Sequence, residues 1–214
     1  QAIGLLSTRL PDGRPGYSLL ILITSQFEPI PLGLGFTLNG VGGLVGVHRS
    51  VAVETLRAGI RENTLDSVLF PRDPIRNAPQ IISDLRRVFP PTQGRHIFGP
   101  MALIGWGKPN ILTAKVGVIL EAPHPARLML LGQARCVLPS EERSIIRINV
   151  DVLGVLDFDR GEFSLDATVY DSKLAAFDLS GDVALRSRWK GKPAFALAIG
   201  GFNPRFQPPA GFPK

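Results

Sequence analysis

Cysteine and histidine are scarce in this chain, and their scarcity excludes several kinds of site. Cys136 is the only cysteine among 214 residues, so no internal disulfide can form. Its flanks, QARCVL, are typical of a strand interior and predict a buried, inert thiol. The three histidines, His48, His96 and His124, lie far apart in sequence without a cysteine or carboxylate at ligand spacing. The sequence therefore predicts no metal site and places each histidine on the surface or in a turn.

Long apolar runs are also missing. The longest, LLILI at residues 19–23, is far shorter than the ~20 residues of a membrane-spanning helix, so we expect no transmembrane segment. The chain begins at Gln1 without a methionine or a basic signal-peptide region, which predicts an end made by cloning or proteolysis and leaves the localisation open. The net charge of +6 is scattered among acidic residues along most of the chain, so no nucleic-acid partner is expected.

Glycine is abundant, yet no nucleotide-binding motif results. The stretch GFTLNGVGGLVGV, residues 35–47, lacks the third glycine of a dinucleotide fingerprint and the Gly-Lys-Ser/Thr ending of a P-loop. Because Asn-Gly is preferred in type I′ turns, we predict a hairpin that turns at Asn39–Gly40. Gly40, Gly42 and Gly46 share one parity, so one side of this ribbon would let another backbone or a large ring approach closely. No G-x-S-x-G elbow occurs, and we expect no cofactor and no catalytic site.

The middle of the chain has helical periodicity. Ser50 can cap a helix from Val51 to about Ala58 that Gly59 ends, and a short helical segment is predicted from Thr64 to Leu69. Pro79 suits a first helical turn and predicts a third helix to about Val88, where Pro90 and Pro91 stop it. This helix has an apolar stripe made of Ile81, Ile82, Leu85, Val88 and Phe89.

From Ile97 onward the apolar residues recur with period two, as in half-buried strands. In IIRINVDVLGVLDF the even positions from Ile146 to Phe158 are mostly apolar, and the odd ones carry most of the polar residues. Short links at residues 159–161, 171–173 and 190–193 predict tight turns between antiparallel neighbours. With the N-terminal strands, these segments give about eight to ten strands. The last residues, 203–214, contain four prolines and predict an extended tail.

The predicted fold is α+β, a predominantly antiparallel β-meander that forms a curved sheet or a barrel-like structure, with a two- or three-helix insertion at about residues 50–90. Residues 1–202 are expected to form a single domain. Because a helix is ~10 Å across and strands are ~4.8 Å apart, two helices can cover only about four strands. The apolar face of the sheet is then wider than its helical cover. The sheet must therefore curl on itself, form two layers, continue in neighbouring segments or hold an apolar ligand.

We expect a non-catalytic structural or assembly module from a larger multi-domain protein. Its partners would be other segments of that protein or copies joined through free sheet edges. An alternative is the binding of a lipid-like ligand in a groove on the apolar face of a curved sheet. The candidate groove residues are Ile146, Ile148, Val150, Phe163, Leu165, Phe177 and Leu179.

A second alternative is a carbohydrate-active hydrolase. It would use the strand carboxylates of Asp151, Asp166, Asp178 and Asp182. These aspartates lie on the polar parity of the strands beside Arg147, Arg186 and Arg188. That position favours charge-paired exposure to solvent over catalysis.

Four segments carry a resemblance to a known family: VFPP, FGPMALIGWGKP, DVLGVLDFDRGEFSLDATVYDSKL and GGFNPRFQPPAGFP. The chain resembles, over nearly its whole length, the bacterial and occasionally fungal family catalogued as domain of unknown function 6603. The long second motif is fairly specific, whereas GWG or FPP alone would be a weak signal. The resemblance implies that such segments usually lie inside much longer multi-domain proteins, and it implies no activity and no catalytic residues.

Overall fold

Each β-strand pairs with the strand that follows it along the chain. In the computed structural model, which describes residues 1–9, 13, 15–60, 64–71, 73–108, 110–140 and 144–200, ten strands form one antiparallel sheet in sequence order. They are β1 (Ala2–Arg9), β2 (Pro15–Gly33), β3 (Phe36–Arg49), β4 (Pro91–Trp106), β5 (Leu112–Ala122), β6 (Arg127–Leu138), β7 (Ile146–Asp157), β8 (Glu162–Leu174), β9 (Phe177–Arg188) and β10 (Ala194–Gly200). Among these residues β1 and β10 do not pair with each other, so the sheet is not closed. The predicted antiparallel meander is confirmed in its open form, and the predicted tail at 203–214 lies outside the described residues.

Three helices separate β3 from β4, as the sequence predicts. They are α1 (Val53–Gly59), α2 (Thr64–Val68) and α3 (Ala78–Val88). Pro79 lies in the first turn of α3, where its missing N–H costs nothing. The first helix begins at Val53 rather than Val51, because the Ser50 hydroxyl donates to Glu121 Oε1 at 2.5 Å instead of capping the helix.

The two ends of the helical insertion are held together by buried polar contacts. The Ser50 N–H donates to the Pro90 carbonyl at 3.1 Å. Arg49, which is buried, donates from Nη1 to the Phe89 carbonyl at 2.8 Å. Burial and the nearby Arg86 lower the pKa of the Arg49 guanidinium. The insertion therefore leaves the sheet at the end of β3 and returns at the start of β4, and its two ends lie side by side.

The helices bury their apolar sides against one face of the sheet. The insertion contributes five large residues to this core: Leu56, Leu69, Phe70, Leu85 and Phe89. The sheet contributes strand residues of a single parity, namely Leu5, Leu20, Leu22, Leu44, Ile97, Met101, Ile119, Met129, Leu131, Leu153 and Val155. Because antiparallel partners share a face, the register places these strand residues on the same side from β1 to β7.

The small residues of β3 provide room for this packing. A Cβ added at Gly40 would lie 2.7 Å from the Ser25 carbonyl oxygen and 3.2 Å from the Phe70 ring. A Cβ at Gly46 would lie 2.4 Å from Ile97 Cγ1. The prediction that this parity admits a close backbone and a large ring is therefore confirmed.

The predicted hairpin turn at Asn39–Gly40 is wrong. Strand β3 runs through both residues, and the chain turns instead at Leu34 and Gly35, each with positive φ. The register shifts between Leu38 and Gly40, so the Asn-Gly pair lies at a β-bulge. Asn-Gly tolerates the irregular backbone of a bulge as well as that of a turn, which is why the local signal was misleading.

The predicted turn at residues 171–173 is also a bulge. Strand β8 continues to Leu174, and the turn into β9 is at residues 175–176. The register shifts between Val169 and Ser172, and the Asn149 N–H donates to the Ser172 hydroxyl at 2.8 Å. The predicted turns at 159–161 and 190–193 are confirmed.

Candidate functional site

The face of the sheet opposite the helices is apolar and open. Residues of the other parity form continuous rows across it. One row, from β3 to β8, contains Val45, Phe98, Leu120, Leu128, Leu156 and Phe163. Phe98 is 57% exposed and Leu120 44%, although both lie in the middle of the sheet. Large apolar side chains in central strands are normally covered, so this surface is the first candidate functional site, and we call it the open face.

The open face extends to the last strand. On β10, Phe195, Leu197 and Ile199 lie on the same side as Leu185 and Val183 of β9. Phe195 is 70% exposed and Ile199 74%. The apolar surface therefore reaches the C-terminal edge of the sheet.

All seven candidate groove residues lie on the open face. The strand register places Ile146, Ile148 and Val150 of β7, Phe163 and Leu165 of β8, and Phe177 and Leu179 of β9 on one side. Phe177 is 73% exposed, Leu179 is exposed, and the other five are half-buried. Cys136 also lies there, in β6, and it is half-buried rather than buried as predicted.

The sequence analysis predicts that the helices cover the face to which the seven groove residues belong. In the structure the helices pack on the opposite face. Strands β2 to β6 are apolar on both sides, so the helices have an apolar surface to pack on without using the open face. The open face consequently has no cover among the described residues.

The helix-side face carries most of the polar residues of β7 to β9, and three of its four candidate aspartates are not the exposed residues that the sequence predicts. Asp151 is 0% exposed. Asp166 accepts from Arg57 Nε of α1 at 2.9 Å and from Arg186 Nη2 of β9 at 2.6 Å. The expected pairing of these carboxylates with arginines is present at Asp166, but it occurs against the helical layer rather than in open solvent.

Asp151 has an environment that raises its pKa. Burial raises the pKa of the carboxyl to about 6, against the opposing effect of the hydrogen bond from Tyr170, whose hydroxyl donates to Oδ1 at 3.0 Å. Burial and the neighbouring Asp151 charge also raise the pKa of Tyr170, so the phenol stays protonated as a donor.

Of the four candidate carboxylates, Asp166 and Asp182 line one cleft between α1 and strands β8 and β9, whereas Asp151 and Asp178 do not line it. A glycosidase needs two carboxyl groups that both reach the substrate. Asp151 has no exposed surface, Asp166 is paired with two guanidinium groups, and Asp178 is exposed on β9. Asp182 is half-buried. In the row that crosses β7, β8 and β9, Thr168 lies between Asp151 and Asp182.

Glu121 is a buried charged residue that the sequence analysis missed. It is 0% exposed, and Arg95 Nη2 and Arg127 Nη2 each lie 2.5 Å from one of its oxygens. Ser50 also donates to it, so the carboxylate joins β4, β5 and β6 to the start of the helical insertion. Its signal in the sequence was a single acid at the end of the apolar run VGVILEA.

The structure brings two of the three histidines together. The rings of His48 and His96 lie 5.4 Å apart between centroids, and Tyr17 packs edge-on against His48. His48 Nδ1 accepts a hydrogen bond from the Gly94 N–H, which leaves the proton of a neutral ring on Nε2. No group of three or more potential metal ligands occurs in the part of the chain that the structure describes. None of the described helices combines the length and the apolar character needed to cross a membrane.

Comparison with known proteins gives one match. No curated protein and no solved structure matches this chain. The model of a family of unknown function, DUF6603, matches residues 1–214. The match covers the whole chain, including the strands that form the open face. The chain therefore belongs to the family of unknown function DUF6603.

Proposed function

We propose that this chain is a non-catalytic assembly module that packs its open face against a second apolar β-layer. In the purified protein that layer is a second copy of the same chain. The observation that carries the proposal is the row of large apolar residues through the central strands, with Phe98 and Leu120 about half exposed. Two antiparallel sheets with apolar faces pack readily at about 10 Å, as in β-sandwiches.

The size of the open face supports a stable contact. The nine gaps between ten strands, at ~4.8 Å each, give a width of about 43 Å, and seven residues of a strand at ~3.4 Å give a height of about 24 Å. The resulting area of about 1,000 Å² exceeds the ~800 Å² that each partner buries in a standard protein interface. Monomeric proteins rarely leave a larger apolar surface than a few hundred Å² to water.

The test is the oligomeric state of the purified chain, measured by analytical ultracentrifugation across a wide range of concentrations. We expect a concentration-dependent dimer for the wild type and a monomer for Leu120→Glu, because the new charge would be buried in the interface. The matched control is Ile75→Glu, which changes a 94% exposed residue in the helical insertion and should leave the dimer intact. A monomeric wild type, or a Leu120→Glu variant that dimerises normally, would refute the proposal.

A second candidate is the binding of a lipid-like ligand on the same face. It is favoured by the region from β7 to β9, where the open-face positions of residues 146–156, 163–169 and 177–187 include no charged residue. Native mass spectrometry of the purified chain distinguishes the two candidates. Acyl chains that co-purify with a monomer support lipid binding, whereas a ligand-free dimer supports assembly.

A further inference from the structure

The turn between β2 and β3 is apolar and exposed. Leu34 and Gly35 form this turn, and Leu34 is 94% exposed. Beside it Phe36, the first residue of β3, pairs with Trp106, the last residue of β4, and both side chains are exposed. Trp106 has the parity of Phe98, so this pair is the end row of the open face. We call Leu34, Phe36 and Trp106 the apolar tip, since Leu34 lies beyond the last paired row of the sheet.

Leu34 has a backbone conformation that leucine rarely adopts. Its φ is +52°, and it lies between Gly33 at +99° and Gly35 at +82°. Turn positions with positive φ are normally taken by glycine, asparagine or aspartate. Because Leu34 is also almost fully exposed, neither the backbone nor the packing of the fold favours a leucine here. Such a residue indicates a contact made outside the chain.

The polar groups of the tip are hydrogen-bonded within the chain. Trp106 Nε1 donates to the Leu34 carbonyl at 3.1 Å, and the Gly107 N–H donates to the Gly35 carbonyl at 3.1 Å. The Ile111 N–H donates to the Trp106 carbonyl at 2.8 Å. These bonds join the β2–β3 turn to the β4–β5 turn. An indole N–H and turn amides that already have acceptors can leave water at little cost, as contact with an apolar medium requires.

The charge around the tip has one sign. Among the described residues of 29–38 and 102–112, Lys108 is the only charged one, and it is exposed in the β4–β5 turn two residues after Trp106. Exposed apolar side chains, a tryptophan and a lysine form the combination that binds the surface of an anionic bilayer. The apolar groups enter the boundary between headgroups and acyl chains, and the amine pairs with the anionic headgroups.

The same corner of the sheet is unsuited to the addition of another strand. Residues 25–33 of β2 have no partner in β1 among the described residues. This stretch contains Pro29 and Pro31, which lack the backbone N–H that an added strand would need. The corner therefore favours an apolar contact through side chains over strand pairing.

We propose that the apolar tip inserts into the interfacial region of an anionic phospholipid bilayer. Leu34 and Phe36 enter the boundary of the acyl chains, Trp106 lies at the level of the headgroups, and Lys108 binds their anionic groups. The contact is made by the end of the sheet and not by its central rows, so it does not depend on the packing of the open face.

The first experiment is co-sedimentation of the purified chain with vesicles. One vesicle is pure phosphatidylcholine, and the other contains about a third phosphatidylserine, in the range of an anionic leaflet. We expect the wild type to bind the phosphatidylserine vesicle more tightly. A wild type that binds neither vesicle, or that binds both equally, would overturn the proposal.

The variants identify the residues in contact with lipid. Leu34→Asn should fold at least as well as the wild type, because asparagine tolerates positive φ, and should weaken vesicle binding by about tenfold. Ile75→Asn is the matched control, since Ile75 is also 94% exposed but lies in the helical insertion, and it should bind normally. Lys108→Gln should weaken binding to the phosphatidylserine vesicle by about fivefold.

Two outcomes with these variants would contradict the proposal. One is a loss of binding in Ile75→Asn as large as that in Leu34→Asn. The other is normal vesicle binding by Leu34→Asn together with its loss in Leu120→Glu, which would mean that the open face binds the lipid. The oligomeric state of Leu34→Asn should be that of the wild type, so failure of this proposal is distinguishable from failure of the assembly function.

Tryptophan fluorescence gives an independent test, because the chain has two tryptophans. Trp189 follows β9 at the opposite end of the sheet from Trp106. In Trp189→Phe the emission of Trp106 should move to shorter wavelength when the phosphatidylserine vesicle is added. In Trp106→Phe, which keeps an aromatic ring at the tip, the emission of Trp189 should not move. A shift of Trp189 without a shift of Trp106 would place the lipid at the wrong end of the sheet.

Discussion

Replacement of Asp151 by asparagine should stabilise the protein at neutral pH. Asp151 is fully buried, and burial raises the pKa of its carboxyl from 3.8 to about 6. The folded state therefore holds the proton more tightly than the unfolded chain does, and wild-type stability falls as the pH rises between these two values. At 1.36 kcal/mol per pKa unit, the carboxylate destabilises the fold by about 3 kcal/mol above pH 6.

Asparagine has nearly the same shape and no charge at any pH. The Tyr170 hydroxyl, which donates to Asp151 Oδ1 at 3.0 Å, can donate equally to an amide oxygen. We therefore expect the Asp151→Asn variant to match the wild type near pH 4 and to exceed its free energy of unfolding by up to about 3 kcal/mol at pH 7.

The assay is urea denaturation of both proteins at a series of pH values from 4 to 7.5. Other carboxyl groups titrate in the same range, so the informative quantity is the difference between variant and wild type at each pH. Asp178→Asn, at an exposed position of β9, is the control and should show no comparable gain. A difference that stays constant across this range would refute the reasoning, because it would mean that Asp151 has an ordinary pKa.

Three further substitutions test the packing. In urea denaturation, Gly46→Ala should destabilise the fold by about 1–3 kcal/mol, because the new Cβ would lie 2.4 Å from the Ile97 side chain. Gly43→Ala is the control and should be nearly neutral, because its Cβ would lie 3.7 Å from the nearest atom. Glu121→Gln should cost about 3 kcal/mol by leaving two half-buried guanidinium groups without their buried counter-charge, and the exposed Glu28→Gln should not change the midpoint. Phe70→Ala should cost about 3–5 kcal/mol in thermal denaturation, and a smaller loss would mean that the helices do not depend on this contact.

The fold was largely predictable because its signals are periodic and long. Alternation of apolar and polar residues marks β7 to β9, and the apolar stripe around Leu85 marks α3. Turn positions were less predictable. Asn39–Gly40 and the segment 171–173 have turn-forming residues, yet each lies in a bulge because the pairing of long neighbouring strands dominates over local preference.

The candidate site could be predicted only in part. Strand parity showed that the seven groove residues share a face, but it did not show which face the helices cover. That choice depends on strands such as β5, where Ile119 is buried and Leu120 is exposed although both are apolar. The polar contacts on the helix-side face were not predictable, since they depend on the register that sets Gln133 beside Asp151 and on α2, which brings Asp66 to Lys115.

The number of strands has a consequence for larger structures. Ten is even and every pairing is antiparallel, so β1 and β10 run in opposite directions. A unit of the same kind, placed beside β10 in the same orientation, would present its first strand antiparallel to the last one, and the alternation would continue across the junction. Both units would also keep the same side uppermost, so the apolar surface would pass unbroken from one to the next. Copies of this unit could therefore be added side by side in one direction to extend a single sheet, and each copy would keep its own fold.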